Sequence, residues 1–133
     1  MVTGGLLTPL PDPVASCVLC ANEMIRYVDA FVPGWRLRIG VHVGPVAAGV
    51  VGERQFSFDI WGHTVNMAFR IQEAGRPGRI TLSREAFGRV KPRLAAGLVT
   101  SIAGDTPDDQ PFVFLPADTP LIPGESPQAT HSR

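Results

Sequence analysis

The sequence predicts a single α+β domain in which helices cover one face of a β-sheet. Two periodicities alternate along the chain. Some segments repeat apolar residues every three to four positions, as helices do, and short runs alternate apolar and polar residues, as strands do. Glycine and proline separate these segments and give the order helix, strand, hairpin, helix, strand, helix and two strands. With 133 residues, 44% of them hydrophobic, the chain can bury one core.

The first helix is predicted over Val14–Phe31. Apolar residues such as Val18 and Ile25 recur along one side of this segment and predict a buried face. Pro13 suits the first helical turn, because the N–H that proline lacks is unpaired there in any case. The glycines and prolines of residues 1–13 predict a loop before the helix.

A strand and a hairpin are predicted next. Trp35–Val43 alternates, with Ile39 and Val41 among the apolar positions on one side, so we expect a strand with one covered face. Gly44–Gly52 reads as a bend followed by a short strand, and Phe56–Ile60 as its return strand.

The second half of the chain predicts four further elements. Thr64–Glu73 has helical spacing, Ile80–Ser83 is a short strand, and Ser83 begins another helix. Leu98–Ile102 and Pro111–Leu115 predict a final pair of strands. The folded domain is expected over residues 1–116. Residues 117–133 are rich in proline, serine and threonine and predict a disordered tail.

Composition excludes several classes of protein. Twelve Lys and Arg against 12 Asp and Glu make the chain neutral, which argues against a nucleic-acid partner. No apolar run reaches the roughly 18 to 20 residues of a membrane span, and no signal peptide is evident, so a cytoplasmic protein is expected. Cys17 and Cys20 are too few for a disulfide framework or a structural zinc site, and we expect two small side chains buried on the first helix.

Three polar residues near the end of the hairpin suggest a binding site. Asn66 and Arg70 are four apart, so on a helix they project from one face, and Asp59 lies on the strand before it. Arginine suits phosphate oxygens, asparagine can hold a sugar or ring oxygen, and aspartate accepts from an exocyclic amine. A structural alternative is that Asp59 caps a helix or turn and that Arg70 is solvated or paired with Glu73.

The same region resembles a known family. Leu37–Gly52, the Asp59–Arg70 segment and Gly78–Ser83 closely resemble, in order, the class III adenylyl/guanylyl cyclase catalytic domain. The resemblance runs from about Val2 to Val90 and covers only the C-terminal half of that domain. It implies a ferredoxin-like cyclase homology domain that is truncated at its N-terminus, either because the start lies inside a longer gene or because the chain is a remnant.

The resemblance also implies roles for the three polar residues. Asp59 would help recognise adenine, which favours ATP over GTP as the substrate while leaving GTP possible. Asn66 would orient the ribose, and Arg70 would stabilise the charge that develops on the α-phosphate. Family members use Mg²⁺ or Mn²⁺, held by two aspartates that precede the matched region, so no metal ligands are expected in this chain. The chain alone is therefore expected to be inactive as a cyclase.

Partners follow from the same resemblance, since family members form each site between two subunits. We expect a homodimer or a complementing cyclase subunit as the partner. A non-catalytic, cyclase-like regulatory or dimerisation module is the alternative, because Gly104–Asp109 replaces the family's Lys-Gly motif. A small interaction domain whose polar rim is merely solvated is a third interpretation. Without the family's first strand, Leu37–Val43 would have unpaired backbone groups, which predicts a marginally stable monomer that associates.

Overall fold

A computed structural model describes residues 1–53, 55–94, 101–103, 112–116 and 119–121. Each predicted helix and strand has a counterpart among the described residues. Residues 98–100 of the predicted Leu98–Ile102 strand and Pro111 of the last one lie outside them. The elements are α1 (Pro13–Phe31), β1 (Arg38–Val41), β2 (Ala47–Val51), β3 (Ser57–Trp61), α2 (His63–Ala74), β4 (Arg79–Leu82), α3 (Arg84–Val90), a 3₁₀ turn (Lys91–Arg93), β5 (Ser101–Ala103) and β6 (Phe112–Pro116).

Four of the strands form one sheet in the order β1-β4-β6-β5. β1 runs parallel to β4, whereas β6 is antiparallel to both β4 and β5. The register aligns Ile39 with Ile80 on the neighbouring strand, and Ile80 with Leu115 on the next. β2 and β3 pair only with each other, as the predicted hairpin.

The core lies between this sheet and two helices. Ile80, Leu82 and Leu115 are fully buried on the face that packs against α1 and α3. Val18 and Ile25 of α1 are also buried there, which confirms the apolar helix face predicted from their spacing. The members of this core are Val14, Ala15, Val18, Ala21, Ile25, Val41, Ile80, Leu82, Ala86, Val90, Val113 and Leu115.

The prediction that helices cover one face of the sheet is wrong, because α2 packs on the opposite face. Gly40 lies on the face of β1 opposite the core, in direct contact with α2. A Cβ at Gly40 would lie 2.5 Å from the backbone nitrogen of Gln72 and 2.6 Å from the carbonyl oxygen of Ala68. Only glycine allows this approach, so both faces of β1 are covered.

Caps and one ion pair join the helices to the rest of the domain. The Oδ1 atom of Asp12 accepts from the backbone N–H of Ala15 at 3.0 Å and caps α1. Its Oδ2 atom accepts from Arg93 Nη1 at 3.1 Å, which ties the start of α1 to the 3₁₀ turn. Ser83 caps α3, since its Oγ accepts from the backbone N–H of Ala86.

Part of the segment predicted as a tail is packed on the domain. Thr119 is buried, and its carbonyl oxygen accepts from Asn22 Nδ2 at 3.0 Å. Leu121 forms a β-bridge with Leu94. The rest of the predicted tail, and the Gly104–Asp109 segment, lie outside the described residues.

The close contact at Gly40 generates a stability prediction. Gly40→Ala should lower the free energy of unfolding by about 1 to 3 kcal/mol, because the methyl group would push α2 away from β1. Gly88→Ala is the matched control. Gly88 is exposed on α3, and a Cβ added there would meet no other part of the domain within 4 Å, so alanine should stabilise by about 0.5 to 1 kcal/mol. Urea denaturation measures both, and equal effects at the two glycines would contradict the close packing.

Candidate functional site

A glycine turn joins the hairpin to α2 and positions the predicted site. β3 ends at Trp61, and Gly62 then adopts a φ of 132°, a region that favours glycine. The carbonyl oxygen of Gly62 accepts from the backbone N–H groups of Val65 and Asn66, which starts the helix. Thr64 Oγ1 donates to the carbonyl oxygen of Pro45 and holds the helix start to the chain that enters the hairpin.

Asp59 lies on β3, opposite Gly49 of β2, and its side chain is exposed. Its Oδ1 atom accepts from the backbone N–H of Ile60 at 2.8 Å. Gly62, and not Asp59, occupies the N-cap of α2. The interpretation of Asp59 as a helix cap is therefore wrong, and its carboxylate stays at the surface of the hairpin.

Asn66 and Arg70 lie one turn apart on α2, and both are exposed. They are on the side of the helix away from β1, since Ala68 and Gln72 provide the contacts with Gly40. The three predicted site residues thus lie at the surface of two consecutive elements. None of them lines the cavity of about 610 Å³ found elsewhere in the described part of the chain, next to β1.

The described residues do not provide a site for the Mg²⁺ or Mn²⁺ expected from the resemblance. Among them, no group of three or more His, Cys, Asp and Glu side chains is placed to hold a metal ion. The three candidate residues include one carboxylate, Asp59, whose Oδ1 already accepts a backbone hydrogen bond. Divalent cations of this type need several oxygen ligands, so these residues do not fit the metal.

A second polar cluster joins β1 to α3 and was not predicted from the sequence. His42 Nδ1 and Ser83 Oγ share a hydrogen bond of 2.9 Å. Partial burial lowers the pKa of His42 below its ordinary value. Nearby Glu85 opposes this shift, and His63 adds to it. The pKa of Glu85 is itself lowered, chiefly by a hydrogen bond to its own backbone N–H at the start of α3.

The two cysteines differ in their surroundings. Cys17 is half-buried and Cys20 is exposed, and both thiols are free. Burial raises the pKa of the Cys17 thiol. The expectation of two buried side chains is therefore wrong for Cys20, which lies beyond the core face of α1.

None of the helices in the described ranges is both long enough and apolar enough to cross a bilayer.

Comparison with known proteins identifies the family. Residues 1–101 match the adenylate and guanylate cyclase catalytic domain. The chain belongs to that family. The resemblance drawn from the Leu37–Gly52, Asp59–Arg70 and Gly78–Ser83 segments is thereby confirmed.

Individual relatives support the assignment. An adenylate cyclase of Mycobacterium bovis is 36% identical over 98 residues, which make up 68% of this chain and 21% of that protein. The guanylate cyclase domain of RhGC from Catenaria anguillulae, solved with GTP, superposes with a TM-score of 0.72 at 24% identity. That match covers 86% of this chain and 65% of the fungal one. The chain therefore spans about one fifth of this curated relative and about two thirds of this solved domain.

A further solved structure is a non-canonical dimeric guanylyl cyclase domain of the RhoGC fusion protein from the aquatic fungus Blastocladiella emersonii. It superposes with a TM-score of 0.70 at 23% identity. The match covers 84% of this chain and 62% of the fungal chain. At this level of identity the two solved structures establish the fold, and they confirm the α+β cyclase architecture of this domain.

The partial burial of His42 generates a pH prediction. Because the folded state holds His42 neutral, the unfolded state binds more protons, and stability should fall as the pH drops through about 6.5. His42→Asn should flatten this dependence. Glu85→Gln should steepen it, since Glu85 favours the charged form of His42. Urea midpoints between pH 5.5 and 8 measure the slopes, and an unchanged slope in His42→Asn would rule out this contribution.

Proposed function

We propose that this cyclase domain takes part in converting a purine nucleoside triphosphate to a cyclic nucleotide, with ATP preferred over GTP. Family membership over residues 1–101 carries the proposal. The relative named adenylate cyclase and the carboxylate of Asp59 support ATP, because a carboxylate accepts from the exocyclic amine of adenine. We further propose that the domain acts in the cytoplasm, where nucleoside triphosphates are available.

We assign the chemical roles to Asp59, Asn66 and Arg70. In the reaction, the 3′ oxygen of the ribose bonds to the α-phosphorus, the bond to the pyrophosphate oxygen breaks, and the hydroxyl proton is released. Negative charge builds up on the α-phosphate oxygens. The guanidinium of Arg70 would donate to these oxygens, and Asn66, on the same face of α2, would hold the ribose. Asp59 would orient the base from the adjoining strand.

The exposure of these residues supports a site that a second subunit completes. All three are exposed in this chain, and none lines the cavity beside β1. A site that excludes water therefore needs another surface to close it, and the metal ligands must also come from outside the described residues. We propose that a second copy in a homodimer, or a complementing cyclase subunit, supplies this surface and the metal ligands. The chain alone would then not convert ATP to cyclic AMP.

The hairpin offers an apolar surface for that subunit. Ile60 is buried against the domain, whereas Phe58, on the same face of β3, is 51% exposed. Phe56, just before β3, is 73% exposed. Val50, directly opposite Phe58, is 64% exposed. The row therefore extends out from the domain, and a contiguous exposed apolar row of this kind is typical of a protein interface.

Complementation tests the catalytic roles. The purified chain is mixed with ATP, Mn²⁺ and a family cyclase whose own transition-state arginine has been replaced. Cyclic AMP formation should be restored by this chain, and Arg70→Ala should reduce the restored rate about 10²- to 10³-fold. Arg89→Ala is the matched control, since Arg89 is an exposed arginine on α3, and it should leave the rate within twofold.

Other outcomes of the same assay separate the alternatives. Cyclic AMP formation by the chain without a partner would contradict the need for a second subunit. Binding to the partner without restored activity, and with no effect of Arg70→Ala, would favour the non-catalytic regulatory module. If the chain binds neither the partner nor a nucleotide, the result would favour the third interpretation, a small interaction domain.

The hairpin surface has its own test. Replacing Phe56 and Phe58 with serine should raise the dissociation constant for the partner, or for a second copy, at least about 10-fold. Trp35→Ser is the control, because Trp35 is similarly exposed, at 67%, but lies between α1 and β1. Sedimentation velocity measures association. Equal weakening by the two sets of substitutions would mean that the hairpin is not the interface.

A further inference from the structure

The proposed reaction releases a proton that the three candidate residues are not suited to accept. The hydroxyl proton must leave when the 3′ oxygen of the ribose bonds to the α-phosphorus. Arg70 is a cation and Asn66 a neutral amide, so neither takes up a proton near neutral pH. Asp59 is assigned to the base, and its Oδ1 atom already accepts from the backbone N–H of Ile60. The set therefore lacks a proton acceptor.

His63 lies on the same face of α2 as the two candidate residues of that helix. It is the first residue of α2, directly after Gly62, and its side chain is exposed. Seven residues make almost two turns of an α-helix, so His63 and Arg70 lie nearly in line along the helix. Asn66 lies between them, three residues after His63. The three side chains therefore share one exposed side of α2.

The direction of side chains on a helix brings these groups closer together. Cβ atoms point towards the N-terminus of a helix, so the long side chain of Arg70 leans over the turn that carries Asn66. His63 precedes Asn66 by a rise of about 4.5 Å along the axis. A ribose held by Asn66, with its α-phosphate at Arg70, would thus have its hydroxyl groups beside the imidazole of His63.

Packing on the other side of α2 fixes this orientation. The backbone of Gln72 lies against Gly40, and Ile71 is fully buried. Thr64, the residue after His63, donates through Oγ1 to the carbonyl oxygen of Pro45. These contacts prevent rotation of α2 about its axis, so His63 stays on the side of the candidate site.

The imidazole of His42 is not available for the same role. His42 is half-buried, and its Nδ1 atom shares a hydrogen bond with Ser83 Oγ. In the part of the chain that the structure describes, the one exposed imidazole belongs to His63. Histidine is the most frequent general base in enzymes, because its ordinary pKa is close to neutral pH.

Resting on the proposed function, we propose that the imidazole of His63 is the proton acceptor of the reaction. The bond between the 3′ oxygen and the α-phosphorus forms while the bond from this phosphorus to the pyrophosphate oxygen breaks. The proton of the 3′ hydroxyl passes to a ring nitrogen of His63. The imidazolium then releases the proton to water, which returns His63 to its neutral form.

Packing also determines which end of β1 lies near His63. Thr64 bonds to Pro45, which follows β1, whereas Gln72 contacts Gly40 within the strand. α2 therefore runs antiparallel to β1, and His63 lies near the C-terminal end of that strand.

Charged and titratable groups on the neighbouring elements affect the pH dependence. Those next to His63 are His42 after β1, Asp59 of β3, Arg70 of α2, and Arg84 and Glu85 of α3. A positive charge on His63 disfavours one on His42. Arg38 and Arg79 begin β1 and β4 and lie at the opposite end. Because the two histidines interact, a variant of His42 is the matched control.

The pH profile of the complementation assay tests this role. With the original chain, the restored rate should rise from pH 5.5 and level off above neutral pH, because a general base must be neutral to accept a proton. His63→Gln should lower the plateau rate about 10²-fold and remove the acidic limb. His42→Asn should keep that limb. Affinity for the partner, measured by sedimentation velocity, should stay within twofold in both variants.

Chemical rescue separates a proton acceptor from a structural residue. Imidazole in solution should raise the rate of the His63→Ala chain at least about 5-fold and saturably, because a free base can enter the vacated space. It should not raise the rate of the original chain or of His42→Asn. Circular dichroism verifies that each variant folds, and His63→Ala provides a second variant should His63→Gln unfold.

The possible failures are distinguishable. If the original chain restores no cyclic AMP formation, both the proposed function and the role of His63 are wrong. If activity is restored and is lost in Arg70→Ala, while His63→Gln keeps its rate within threefold and its acidic limb, only the role of His63 is wrong. A reduced rate in His63→Gln with an unchanged limb and no rescue of His63→Ala would assign a structural contribution to His63 and would also overturn the proposal.

Discussion

The contact of α2 with β1 at Gly40 governs the arrangement of the whole domain. The missing side chain lets the backbone of Ala68 and Gln72 approach β1 directly, which places a helix on each face of that strand. This contact fixes the orientation of α2 about its axis. Asn66 and Arg70 then face outward at the end of the hairpin, and the open edge of β1 lies in a confined, apolar space. One glycine therefore links the stability of the sheet to the position of the candidate site.

The candidate site is an incomplete surface. It presents a carboxylate, an amide and a guanidinium to solvent. The electrostatic interactions of such polar groups are stronger when water is excluded, and exclusion of water requires a covering surface.

Local patterns predicted much of the fold. The spacing of Val18 and Ile25 located α1 and its buried face, and the glycines around residues 44–62 located the hairpin and the start of α2. Ser83 was correctly placed at the start of α3, where its hydroxyl caps the helix. The sequence predicted the helix α2 but not its position on the second sheet face, because Gly40 fits the alternating pattern of β1 and nothing local indicates its contact with α2. The exposure of Cys20 was likewise not predicted. Helical spacing predicts which residues lie on the apolar side of α1, but not how much of that side the sheet covers.

Residue order was enough to establish the succession of elements, the cyclase resemblance and the identity of the three candidate residues, because periodicity, turn residues and motifs are local. Only the tertiary structure decided which surfaces these residues occupy. The folded domain placed Asp59, Asn66 and Arg70 at the surface, joined His42 to Ser83 across 41 positions of sequence, and bound Asn22 to Thr119. Contacts of this kind depend on how far one element lies from another after packing, a distance that residue order does not encode locally.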